Sequence, residues 1–262
     1  MSSTVHTIPG RAIALAITAL LTLNILPVSA ADSVDELVDL NLRAWSGEPE
    51  LLSEVYSPDA VHTATFYDRT TAYTGPDEIA TVTGYGAIEP IGPRIDIPAV
   101  DGEWRWASFA SLGGGAACLF HAVDGLLVRH DCIVPERSSD SRPKVGPADA
   151  VASAAIDELT ARMAGTWGTG ATVERLAEVY APEAVHTARY LDRTMTYTGP
   201  EEIIKVAGLG GSVGSIGDRV DFEAPEGELA WASVADVGGG SVCIYRAVDG
   251  MVTRHDCLLP IR

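Results

Sequence analysis

The chain has 262 residues, 36 Asp and Glu against 18 Lys and Arg, and a formal charge of −18. Such a surface repels phosphate, and no Lys/Arg cluster or aromatic ladder interrupts it, so nucleic acid and anionic membrane surfaces are excluded as partners. The acidity itself reads as a device for solubility.

Residues 1–11 are polar with one full side-chain charge, Arg11, and residues 12–26 are apolar before Pro27 and Val28-Ser29-Ala30. A weakly basic start, a short apolar core and small residues at −3 and −1 predict a secretory signal peptide, residues 1–30, cut after Ala30. The other reading is an uncleaved anchor. The run is shorter than the roughly 20 residues of a spanning helix, and Asn24 breaks it. The mature chain is thus expected to be secreted or held in the cell envelope, off the membrane. Its charge becomes −19, because residues 1–30 hold one Arg and no acid.

Residues 35–45 carry Leu37, Val38, Leu40, Leu42 and Trp45, a helical spacing that Ser33 or Asp32 can cap. Residues 50–56 predict a second short helix ending before Pro58. Residues 60–66 and 70–74 predict strands that turn at Asp68. Gly75-Pro76, followed by Asp77 and Glu78, predicts a third helix start, with proline and acids where a helix N-terminus favours them. After a glycine-containing loop at 84–92, strands are expected at 94–99 and 104–112. The segments 116–123 and 126–134 form a hairpin about Asp124-Gly125.

The same order then recurs. Residues 54–79 match residues 178–203 at a constant offset of 124, and Arg129-His130-Asp131-Cys132 matches Arg254-His255-Asp256-Cys257. A period above 100 residues means two whole domains rather than a solenoid. They are expected at 31–135 and 149–262, joined by a polar, Pro- and Ser-containing linker at 136–148. Helices first, then mostly antiparallel strands, predict an α+β fold: two tandem cone-shaped domains, each a curved sheet packed on about three helices around a cavity.

There are four cysteines, two per repeat. An even count in an exported chain favours disulfides. A three-residue loop of Asp124, Gly125 and Leu126 would set Cys118 opposite Cys132, and the same arithmetic about Asp249-Gly250 pairs Cys243 with Cys257. Free buried thiols are the other reading. The spacing is wrong for a zinc knuckle, there is no CxxC, and two histidines alone do not make a metal site, so neither metal nor cofactor is expected. Gly113-Gly114-Gly115 and Gly238-Gly239-Gly240 lack the Lys-Ser/Thr and the helix of a phosphate loop and read as strand connections.

The run Tyr56-Ser-Pro-Asp-Ala-Val, then Tyr73-Thr-Gly-Pro-Asp-Glu-Ile, then Val123-Asp-Gly-Leu-Leu-Val-Arg-His-Asp resembles the SnoaL-like division of the nuclear-transport-factor-two-like superfamily. The resemblance covers nearly all of both repeats. It implies a cone with a small-molecule cavity, in a group that spans polyketide cyclases, ketosteroid isomerases, epoxide hydrolases, dehydratases and non-catalytic binding domains. It also implies that such domains pair through their sheets, so the two repeats are expected to form an intrachain pseudo-dimer.

On strand 60–66 the side chains alternate. Thr65 corresponds to Arg189, which marks that face as wet and turns His62, Ala64 and Phe66 inward, with His186, Ala188 and Tyr190 as partners. A cavity histidine is a candidate general base; a core histidine is the other reading. The ketosteroid isomerases carry their carboxylate at the places aligned with Ala64 and Ala188, where alanine cannot remove a proton. Arg94 with Asp96, Arg219 with Asp221, and the last-strand Asp131 and Asp256 resemble the acid–base set of limonene-type epoxide hydrolases, whose water-positioning tyrosine and asparagine have no clear counterparts near His62. Trp106, Trp231, Phe66, Tyr190, His130 and His255 are candidate ligand-binding residues. Whether His130 or Asp131 faces the cavity stays open. Two functions follow: an exported pocket protein binding a small apolar molecule or a protein partner, or a lyase, isomerase or epoxide-hydrolase-like enzyme using His62, Arg94, Asp96 and Asp131.

Overall fold

A computed structural model describes residues 31–66, 69–83, 88–135, 145–190, 193–208 and 214–259. The signal segment, the Asp68 turn and most of the linker lie outside the described residues.

The first repeat opens with helix α1 (Val34–Ser46), capped by the Ser33 hydroxyl, which accepts from the Glu36 N–H. A 3₁₀ turn (Pro49–Leu51) leads into α2 (Leu52–Val55). Strand β1 (Tyr56–Thr65) follows at once, with β2 (Thr70–Thr74) and α3 (Gly75–Ala80) behind it. Pro58 therefore sits inside a strand rather than ending a helix. It is tolerated because β1 shifts register against its neighbour between Tyr56 and Val61, where proline deprives the ladder of nothing. Then come β3 (Ile95–Ile97), β4 (Glu103–Ala110), β5 (Ala116–Val123) and β6 (Leu126–Ile133).

The second repeat copies the plan. Its elements are α4 (Ala150–Met163), α5 (Val173–Ala177), β7 (Tyr180–Arg189), β8 (Thr194–Thr198), α6 (Pro200–Ala207), β9 (Val220–Phe222), β10 (Glu228–Ala235), β11 (Ser241–Val248) and β12 (Met251–Leu258). The sheets run β2-β1-β6-β5-β4-β3 and β8-β7-β12-β11-β10-β9. Every pairing is antiparallel except β1 with β6 and β7 with β12, so the first long strand of each repeat lies beside its last.

The disulfides join Cys118 to Cys132 and Cys243 to Cys257. The expected partners meet, but by another route. The hairpin turn has two residues, since Val123 pairs with Leu126, and Asp124 and Gly125 both adopt positive φ, 50° and 78°. That is the conformation for which Asp-Gly is selected in tight hairpins. A bulge between His121 and Ala122 then restores the register that sets Cys118 against Cys132.

One face of each sheet packs on helices: Leu37, Ala44 and Trp45 of α1 and Ile79 of α3 meet Trp106 and Phe120 in the first repeat. The other faces pack on each other. Ile95, Ile97, Phe109 and Ile133 interleave with Val220, Phe222, Val234 and Ile244 in one continuous core. The contact is reciprocal, as a two-fold pairing of like patches demands. A Cβ on Gly115 would stand 2.9 Å from the Phe222 ring, and one on Gly240 would overlap Ile97, the counterpart of Phe222. The apolar centre thus comes from β3–β6 and β9–β12, with no residue of β1 or β7 in it. Thr63 and Thr65 are buried on the same side, nearer its edge. The glycine runs are strand connections whose last residue lets the opposite sheet approach.

Gly240→Ala should therefore lower stability by about 1–3 kcal/mol through overpacking against Ile97. Gly227→Ala is the control, because Gly227 has φ +83° but nothing within 4 Å of a new Cβ. Urea midpoints for the two variants check this. Equal losses would assign the whole effect to backbone strain and none to the contact between repeats.

Candidate functional site

Between helices and sheet each repeat holds a cavity, of about 590 Å³ in the first and about 610 Å³ in the second. Strand alternation selects its wall. His62 and Ala64 of β1 and Phe66 just past its end face it, as do Cys118 and Phe120 of β5 and His130 and Cys132 of β6. The open question on the last hairpin resolves to His130. Asp131 points through the other face of the sheet, where its carboxylate accepts from the Thr63 hydroxyl and from Arg129 Nε at 2.7 Å.

The parallel register pairs His62 with His130 directly, and their rings lie 4.5 Å apart. His62 Nδ1 is 2.9 Å from the His130 carbonyl oxygen. A carbonyl only accepts, so Nδ1 carries the proton and Nε2 keeps a lone pair. His130 Nδ1 lies 2.7 Å from the Tyr56 hydroxyl, which also receives the Trp45 indole N–H at 2.8 Å and reaches Asn41 Oδ1 at 3.0 Å. His130 Nε2 is 3.0 Å from the Cys132 sulfur. Phe120 stacks on His130 with centroids 4.2 Å apart, and Trp106 stacks on Phe120 at 4.9 Å.

The second repeat repeats this: His186 Nδ1 to the His255 carbonyl at 2.9 Å, Tyr180 hydroxyl to His255 Nδ1 at 3.0 Å, and Trp167 Nε1 to Tyr180 at 2.9 Å. Two of the exchanges between the sites bear on these contacts. Tyr245 stands where the first repeat has Phe120, stacked on His255 and on Trp231. Met163 stands where the first has Asn41, if Trp167 is matched to Trp45. The Tyr180 hydroxyl proton therefore goes to His255 Nδ1, which leaves the His255 proton on Nε2.

Burial dominates the electrostatics. It pulls His62 and His186 down to about 4, although the backbone hydrogen bond and the nearby Asp131 or Asp256 oppose it. It pushes His130 and His255 well below the usual histidine range, helped by the neighbouring imidazole. The same desolvation drives Tyr245 up to about 12. All four histidines are neutral at pH 7.

The expected acid–base set does not converge. Arg94 reaches the rim of the first cavity, but its guanidinium is held by Asp35 and Asp96, each at 2.7 Å, and the Asp96 side chain is 62% exposed. Arg219 repeats this with Asp157 at 2.9 Å and Asp221 at 2.5 Å. Asp256 pairs with Arg254 Nε at 2.6 Å beyond the sheet. Among the described residues, neither cavity is lined by a carboxylate. Phe66, Trp106 and His130 do line the first cavity, and Tyr190, Trp231 and His255 the second. Sequence reasoning passed over Tyr56, Trp45 and Asn41. The first two were visible as residues repeated at Tyr180 and Trp167.

No protein-family model matches this chain, and no curated protein matches it. Among solved structures it is similar to an NTF-2 like protein of unknown function from Silicibacter pomeroyi, at 11% identity and a TM-score of 0.31, covering 37% of this chain and 87% of that one. A second NTF-2 like protein of unknown function, from Burkholderia xenovorans, is 12% identical with a TM-score of 0.30, covering 41% and 86%. A protein with a ketosteroid isomerase-like fold from Catenulispora acidiphila, in complex with trimethylamine, is 14% identical with a TM-score of 0.28, covering 38% and 85%. Each likeness spans about one repeat, and likeness of this degree carries nothing about activity.

The buried histidines predict a pH dependence of stability. Burial holds His62 and His186 at about 4 and His130 and His255 well below the usual range, while unfolded histidine sits near 6.5, so the unfolded chain binds more protons as pH falls through this window. Their stabilising effect is complete above about pH 6.5 and is lost as pH falls toward 4. Burial pushes the Tyr56 hydroxyl beside His130 above its usual range, so it adds no proton change in this window. Urea midpoints measured from pH 7 to pH 4 should fall, and the slope should be shallower in the His62→Gln, His186→Gln double variant. An unchanged slope would place the acid sensitivity on the carboxylates alone.

Proposed function

We propose that the chain is an exported carrier or sensor of small apolar molecules, with one binding cavity in each of two domains, 31–135 and 149–262. The observation that carries this is His62: an imidazole whose Nδ1 is committed to backbone and whose Nε2 offers an acceptor into an otherwise aromatic and aliphatic chamber. An apolar pocket with one fixed polar group orients a ligand without reacting with it. The favoured ligand has a rigid apolar body and one hydroxyl. Export is supported by the leader-like residues 1–30 and by two disulfides, which an oxidising compartment preserves. An enzyme of the lyase, isomerase or epoxide-hydrolase kind would need an acid partner for His62, and Asp96 and Asp131 point elsewhere.

The test uses 1-naphthol and naphthalene, matched in shape, with Trp45, Trp106, Trp167 and Trp231 at the cavity walls as reporters. Tryptophan quenching should show naphthol bound roughly 5–10-fold more tightly, the worth of one net hydrogen bond of about 1 kcal/mol. His62→Ala with His186→Ala should erase the preference while leaving naphthalene binding in place. Equal affinities in the unaltered chain would sink the assignment of Nε2 as the polar contact.

A further inference from the structure

Each cavity wall carries a second grouping, which shares His62 or His186 with the small-molecule contact. His62, His130 and Cys132 present one potential ligand atom each, all within 4.8 Å of one another and all buried, and His186, His255 and Cys257 do the same. In the disulfide form the sulfur is no thiolate, and a divalent cation held by two neutral imidazoles would bring two uncompensated charges into an apolar chamber. Reduction changes both terms. Cys118 and Cys132 then supply two thiolates beside two imidazoles, a tetrahedral set whose charge cancels that of a divalent ion.

We propose that each repeat contains a redox-gated Cys₂His₂ site for a thiophilic divalent cation such as Zn²⁺, closed by the disulfide and opened by a dithiol reductant. The reductant's two thiols are oxidised to its own disulfide as the Cys118–Cys132 bond is reduced to two thiols. The cation then displaces their two protons to solvent. The reading is independent of the small-molecule one, since metal enters only the reduced chain.

The surrounding hydrogen bonds are of the kind that orient metal-binding histidines, with the far ring nitrogen tied to protein. His62 meets this through its Nδ1–H and the His130 carbonyl. For His130 Nε2 to coordinate, its proton must sit on Nδ1 and be donated to Tyr56, whose own proton then turns to Asn41 Oδ1 at 3.0 Å. In the second repeat Met163 replaces Asn41 and gives the Tyr180 proton no such acceptor. The first site is therefore the tighter, by roughly 10-fold, the usual weight of an outer hydrogen bond at a metal. Asn41 is a positioning residue here.

The experiment takes the full chain, reduces it with dithiothreitol, removes the reductant under argon and titrates with Co²⁺. Visible bands of tetrahedral cobalt and a thiolate-to-cobalt charge-transfer band should grow in two phases to two ions per chain, and be absent from the disulfide form. Asn41→Ala should merge the phases, and Met163→Asn should tighten the weaker one. The idea is overturned by equal binding in the disulfide form, by no charge-transfer band, or by an unchanged spectrum in the His62→Gln, His186→Gln variant, which would assign the ion to thiolates of a loosened chain. Should that variant fail to fold, X-ray absorption of the zinc-loaded reduced chain still decides: two sulfur and two nitrogen neighbours support the site, and four sulfurs, or oxygen in place of nitrogen, refute it.

Discussion

The parallel pairing of β1 with β6, and of β7 with β12, places the start of each domain against its end. Everything at the site depends on it. His62 and His130 are 68 residues apart in the chain, yet the register makes them direct neighbours with Nδ1 of one on the carbonyl of the other. A pairing of such separation costs loop-closure entropy that the disulfided hairpin offsets in part, since each cross-link closes a short loop worth about 3 kcal/mol in the chain-entropy picture. The same hairpin presents His130 beside Cys132, so the element that stabilises the sheet is also the wall of the cavity.

Strand periodicity then sorts the chemistry. One residue separates His130 from Asp131, and a period of two sends them to opposite faces. His130 enters the cavity, is desolvated and stays neutral. Asp131 leaves it for the seam between the repeats, where Thr63 and Arg129 satisfy it. A carboxylate and an imidazole that look adjacent in sequence are thereby divided by the thickness of the sheet. Arg94 and Arg219 reach the cavity rims, but each ties its sheet to the first helix of its repeat through Asp35 or Asp157.

Duplication has given this sheet a use for both faces. Its helix side makes the cavity, and its far side makes a reciprocal apolar core with the other copy. The symmetry is not complete. Arg189 replaces Thr65 and reaches across to Thr70 of the other repeat, while Tyr245 and Met163 alter the second cavity. Two sites of one descent therefore differ in polarity at the stacked ring and at the end of the tyrosine's hydrogen-bond chain.

The sequence by itself determined the duplication, the α+β order, the inward face of β1 and the disulfide partners, because these follow from local repetition, from the alternation of a strand and from the Asp-Gly turn. Even the turn was legible only in outcome: two compensating departures, a shorter loop and a bulge, leave the cysteines paired as expected. Asn41, Trp45 and Tyr56 were not legible as a site. A helix and a strand deliver them to one point, and their chemistry exists only where the Trp45 N–H, the Tyr56 hydroxyl and the His130 imidazole meet in the same dry volume. Only the tertiary structure decided that Asp131 serves the seam and His130 the cavity. Register and burial are properties of strands brought together, and no single stretch of the chain contains both.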